Sequence, residues 1–123
     1  MQGAQQTTSR YRTLGAIVEH IDRLEAIYKR DLEPGDQLVV TTRNSTYRIH
    51  ALQDGIYTVS GGWFDLHGLS PINVAINGCT WGGHAIKEDL LAASGLHLEF
   101  ENRVTTSRIL RFKVIRCCEE TIQ

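Results

Sequence analysis

Leu38 to Gly62 reads "LVVTTRNSTYRIHALQDGIYTVSGG". Within it Leu38, Val40 and Thr42 alternate with Val39, Thr41 and Arg43, and Tyr47, Ile49 and Ala51 alternate with Arg48 and His50. A strand turns successive side chains to opposite faces, so this period of two gives each run one core face and one wet face. Asn44-Ser45 separates the first two runs as a tight turn, and Asp54-Gly55 is a favoured hairpin pair before the third run, Ile56 to Gly61. The stretch predicts a three-stranded meander.

The alternation returns downstream. Ile72, Val74 and Ile76 form a fourth apolar face, closed by Asn77-Gly78. Leu96, Leu98 and Phe100 form a fifth, with His97, Glu99 and Glu101 turned to water. A sixth and longest run extends from Thr105 to Cys117, with Leu110, Phe112 and Val114 on one side and Ile109, Arg111, Lys113 and Ile115 on the other. Six short strands with turn signals between most of them predict a small antiparallel barrel or a strongly curled six-stranded sheet. Ala85 to Ser94, "AIKEDLLAAS", fits two readings: Ile86 and Leu90 share a helical face with Gly95 as its closing residue, yet only two turns fit.

Upstream of Pro34-Gly35 the period is that of a helix. Leu14, Ile17, Val18, Ile21, Leu24, Ile27 and Tyr28 recur at spacings of three and four, which predicts an amphipathic helix over 11–31. Thr8 and Ser9 can cap its start, and Pro34-Gly35 ends the segment. Leu14, Ile17, Ile21, Leu24 and Tyr28 also keep the 3-4-3-4 spacing of a coiled-coil seam, which makes them the expected interface of a homo-oligomer. The expected fold class is α+β, mainly β: a polar tail over 1–10, the helix over 11–31, a barrel-like body over 35–117 and a short tail over 118–123.

Composition narrows the functions. The 123 residues carry 13 basic and 14 acidic side chains, a formal charge of −1 that gives no whole-molecule attraction to phosphate or anionic lipid. No apolar run approaches a bilayer span, so no membrane partner is expected. The first ten residues lack the apolar core of a secretion signal, and three cysteines make an odd count, so the expected compartment is the reducing cytoplasm.

"LEPGDQLVVTTRNSTYRI", a Gly-Gly and then "INGCTWGGHAIK" resemble an uncharacterised family of small bacterial β-rich proteins, over roughly Leu32 to Ile115. The resemblance implies a compact domain and carries no assigned activity. In that family pattern serine stands more often than cysteine at the place of Cys79, which implies that a thiol is not required there.

Chemistry is suggested mainly by "CTWGGH", Cys79 to His84. A cysteine nucleophile needs a lowered pKa and usually a histidine to take its proton, and His84 could meet Cys79 across the Gly82-Gly83 bend. The competing reading is architectural: Gly78 permits a positive φ, the glycine pair lets the chain turn, and Trp81 caps the barrel. Asp65 and His67 in "WFDLHG", beside Trp63, could join Cys79 and His84 as a mixed oxygen, nitrogen and sulfur set for zinc, although no paired-ligand motif is present. His20, His50 and His97 are expected to face solvent.

Arg43, Arg48, Arg108, Arg111, Lys113 and Arg116 give the body a modest positive character, but alternation splits Arg111 and Lys113 from Arg108 and Arg116. Nucleic acid is therefore not an expected partner. The glycine pairs lack a nucleotide-binding arrangement, the Glu99/Glu101 and Glu119-Glu120 pairs are exposed, and no serine sits in a nucleophile elbow. No catalytic residue, metal or cofactor is assigned. The expectation is a non-catalytic β-domain for self-association or protein interaction; the alternatives are a loop site for a metal or small ligand around Trp63, Asp65, His67, Cys79, Trp81 and His84, and single-stranded nucleic-acid binding.

Overall fold

A computed structural model of the chain describes residues 26–82 and 85–117. Among the described residues nine strands form: β1 (Ala26–Tyr28), β2 (Gln37–Thr42), β3 (Thr46–Ala51), β4 (Ile56–Gly61), β5 (Ile72–Thr80), β6 (Ile86–Lys87), β7 (Leu90–Ala93), β8 (His97–Phe100) and β9 (Ile109–Ile115). A short helix, α1 (Gly62–Leu66), lies between β4 and β5. The main sheet is antiparallel and curls into a half-barrel in the order β6-β5-β4-β3-β2-β9, with β8 paired to β5 as well. β1 and β7 make a separate two-stranded sheet.

The meander forms as its alternation predicts. Leu38, Val40, Tyr47, Ile49, Tyr57 and Val59 are buried, while Arg48 and His50 on the intervening positions are exposed. Asp54 and Gly55 both take positive φ, 60° and 76°, as the favoured two-residue hairpin turn requires. The curl brings distant side chains together. Phe64 of α1 and Phe100 of β8 meet edge to face with ring centroids 5.0 Å apart, and Tyr47 of β3 lies 5.8 Å from Phe100.

Several boundaries differ from expectation. Residues 26–31 are strand β1 and a single 3-10 turn (Lys29–Asp31), not the end of a helix. Ile27 is buried in the core, the strand pairs with Ala92 and Ala93, and the Asp31 carboxylate accepts the Tyr28 N–H at 2.8 Å. Tyr28 is therefore a strand residue, and the β-body starts at Ala26 rather than at 35. Leu14, Ile17, Ile21 and Leu24, with the rest of the expected helix, lie outside the described residues. The spacing of Ile27 and Tyr28 suits helix and strand alike, and tertiary pairing decides between them.

Asn77-Gly78 does not end the fourth strand. β5 continues to Thr80 through a bulge between Ile76 and Gly78. Gly78 has φ 138°, and a Cβ there would collide with the Lys87 carbonyl, so only glycine lets β6 pass this closely. "AIKEDLLAAS" forms β6 and β7 in place of a two-turn helix. The sixth expected strand shortens to Ile109–Ile115, and the residues before it are tied to other strands: Thr106 Oγ1 accepts from Leu98 N at 3.1 Å, and the Ser107 hydroxyl donates to Thr42 at 2.8 Å. A second bulge opposite Thr41/Thr42 puts Ile109 in the core and leaves Leu110 51% exposed, the reverse of the expected alternation.

The ends of the body are tied by Asp36. Its carboxylate, buried among loop residues, accepts from Arg116 at 2.7 Å, Glu33 N at 2.9 Å and Cys117 N at 3.1 Å. Arg116 also donates to the Asp31 carbonyl at 2.8 Å, so one ion pair holds the 31–36 segment against the end of β9.

Candidate functional site

The residues that sequence suggested as a reaction centre fall at separate places. Cys79 belongs to β5, where it pairs with Lys87 on β6 and Leu98 on β8 and is completely buried. Burial pushes its thiol up to about 12, and the Lys29 ammonium pulls it down only in part. Lys29 is itself engaged, donating from Nζ to the Ile76 carbonyl at 2.7 Å beside the β5 bulge. A thiol so placed stays protonated and out of reach of substrate at neutral pH. His84 lies outside the described residues.

This burial has a measurable consequence. In the unfolded chain the Cys79 thiol returns to its ordinary value near 9.0, so the unfolded state loses a proton at a lower pH than the native state does. The native advantage is complete below pH 9 and is lost as pH rises towards 12. Stability should fall by up to about 1.4 kcal/mol per pH unit within that window. Tyr57, raised by burial, acts in the same direction. Urea denaturation at pH 8 to 11 should show this slope, and Cys79→Ala should flatten it; an unchanged slope would mean that the thiol is solvated.

Asp65 and His67 sit on and just after α1. The Asp65 carboxyl is held below its usual range by the Ser70 hydroxyl and then by the Gly61 N–H, which donates to it at 3.0 Å. The carboxylate thus latches the turn that enters α1. His67 stacks on Trp63 with ring centroids 3.9 Å apart, and its Nδ1 lies 2.9 Å from the Trp63 carbonyl, a geometry that places the proton on Nδ1. The preceding Gly61-Gly62 pair serves close approach: a Cβ on Gly62 would strike the Tyr47 ring, whose hydroxyl accepts the Trp63 N–H at 3.1 Å. Among the described residues no three of His, Cys, Asp and Glu gather as a metal-ligand group.

Trp81 does not cap the core. It is 61% exposed, on the rim of a shallow groove of about 430 Å³ that Ile86, Lys87, Glu88 and Asp89 complete. Lys87 and Asp89 of this lining pair at 3.3 Å. His97 is half-buried, with Nδ1 3.0 Å from the Thr106 carbonyl, whereas His50 faces solvent as expected.

Sequence periodicity gave no notice of the α1 surface. Phe64 is fully buried on one side of this single turn, while Leu66 is 82% exposed and Leu69, which donates its N–H to the Phe64 carbonyl, is 43% exposed. The signal lay in "WFDLHGLS", with apolar residues in a segment too short to show a face. No described helix is long and apolar enough to cross a membrane. Comparison of the chain with protein-family models, curated proteins and solved structures returned no significant match.

Proposed function

We propose that the chain is a non-catalytic association domain that pairs with a second copy through the apolar surface of α1. The observation that carries this reading is Leu66. It is 82% exposed on a helix that already buries Phe64 in the domain's own core, so its apolar character does not serve that core. Leu69 and the half-buried Trp63 widen the patch. Apolar side chains grouped on an otherwise polar surface fit a contact with another protein, and a self-complementary patch fits a two-fold dimer. The placing of Cys79 on β5 and of Asp65 and His67 at α1, each occupied by a structural task, supports an association role over a reaction centre. A reducing cytoplasm suits free Cys79 and Cys117.

Analytical ultracentrifugation tests the proposal. The wild-type chain should sediment as a dimer at micromolar concentration, and Leu66→Asp should sediment as a monomer with its thermal midpoint nearly unchanged, since a fully exposed substitution alters stability by only about 0.5 kcal/mol. A wild-type monomer under those conditions overturns the reading. Dissociation by Ile21→Asp with Leu24→Asp, but not by Leu66→Asp, would move the interface to the N-terminal apolar stripe.

A further inference from the structure

The strand register assembles what alternation along single strands had kept apart. Val39 of β2 lies directly between Arg48 of β3 and Lys113 of β9, so both cations stand on the outer face in one cross-strand row. The next row on that face is Arg111, Thr41 and Thr46. Paired residues lie about 5 Å apart per strand, and alternate residues about 7 Å apart along one, so Arg48, Lys113 and Arg111 mark a patch roughly 10 Å across. Arg48, Arg111 and Lys113 are exposed. The end of the patch carries exposed Arg43 and Arg108, joined by the Arg43 N–H donating to the Arg108 carbonyl at 2.9 Å.

Two further features define this face. Among the described residues, none of these five cations has an ion-pair partner; the ion pairs are Arg30–Asp89, Lys87–Asp89 and Arg116–Asp36. Arg116, which the sequence counted with the surface cations, is withdrawn into the Asp36 clamp. The rows continue through Ser60 opposite Arg48 and through His50, Thr58 and Asn73, with no carboxylate in any of them. A chain of formal charge −1 thus keeps its described acids off one broad sheet face and leaves that face cationic.

We infer that the outer face of β9, β2 and β3 binds the phosphate backbone of a nucleic acid without reading its bases. Unpaired guanidinium and ammonium groups with hydroxyl donors between them match phosphate oxygens. No Phe, Tyr or Trp side chain stands in these rows and His50 lies at their margin, so the contact is chiefly electrostatic and indifferent to sequence. The inference goes beyond the association role and involves none of the residues of the Leu66 patch.

Fluorescence anisotropy of the full chain with a labelled 30-base-pair mixed-sequence duplex and with its single strand tests it. For three neutralised phosphates on the duplex, the log–log slope of affinity against salt should be about −2.7, a loss of roughly 10²- to 10³-fold from 20 to 200 mM. Arg48→Gln with Lys113→Gln should bring that slope to about −0.9, and Arg48→Glu with Lys113→Glu should abolish binding at 20 mM. Both variants alter exposed positions, and thermal melts establish that they fold; Arg111→Gln alone provides a third, milder reduction of the slope. Arg30→Gln with Lys87→Gln should change nothing. No anisotropy change at 20 mM salt, a slope that the Arg48/Lys113 variants leave intact, a strong preference for one base composition, or equal affinity for phosphatidylserine vesicles would each overturn the inference.

Discussion

Asp36→Ala should destabilise the native state by about 3–5 kcal/mol, read as a fall in the urea midpoint with an unchanged slope. The Asp36 side chain is only 4% exposed and that of Arg116 21%, so removal of the carboxylate strands a largely desolvated guanidinium. It also deprives the Glu33 and Cys117 N–H groups of their acceptor. Loss of a partner costs far more than the pair contributes over an apolar replacement, because the remaining charge stays buried and uncompensated. Arg116→Ala should therefore be damaging as well, and Asp36→Leu combined with Arg116→Met should recover a large share of either loss. A midpoint shift worth less than about 1 kcal/mol for Asp36→Ala would show that water reaches the clamp.

Phe100→Ala should cost a comparable amount, about 3–5 kcal/mol, through a different cause. Phe100 is fully buried, stands opposite Ile76 on β5 and packs edge to face against Phe64 and obliquely against Tyr47. Truncation opens a cavity that α1 and β3 line from two sides, and it removes aromatic contacts worth about 0.5–1.5 kcal/mol beyond their buried area. Phe100→Leu should lose less than half as much. Differential scanning calorimetry separates the cases, and near-identical midpoints for Phe100→Ala and the parent chain would mean that the half-barrel holds without its aromatic centre.

The β-body was legible in the sequence wherever one strand carries a clean alternation between turns. Leu38 to Gly61 is read correctly because Asn44-Ser45 and Asp54-Gly55 punctuate it and each run buries one face. The reading fails where the pattern is interrupted or too short. Gly78 looks like a terminus yet is a bulge, because the chain that passes over it comes from residues 87 and 88, which no local pattern reveals. Ile27 and Tyr28 satisfy a helical and a strand spacing at once, and the choice rests on pairing with Ala92 and Leu90. Of the site, only the lack of a paired-ligand motif among Cys79, Asp65 and His67 was legible in the sequence. The exposed Leu66 and the Arg48–Lys113 row were not, since the first lies on a single turn and the second exists only across strands more than sixty residues apart.

The pairing of β2 with β9 bears on how the molecule comes into being. These strands are neighbours in the sheet but stand near opposite ends of the described chain, at Gln37–Thr42 and Ile109–Ile115. While the polypeptide is being synthesised, the meander of β2, β3 and β4 can assemble early from local contacts, yet the far side of β2 must wait unpaired until β9, more than sixty residues downstream, has emerged. Leu38 and Val40 on that waiting edge form a sticky template, so the nascent protein is most vulnerable to aggregation in the interval before β9 arrives.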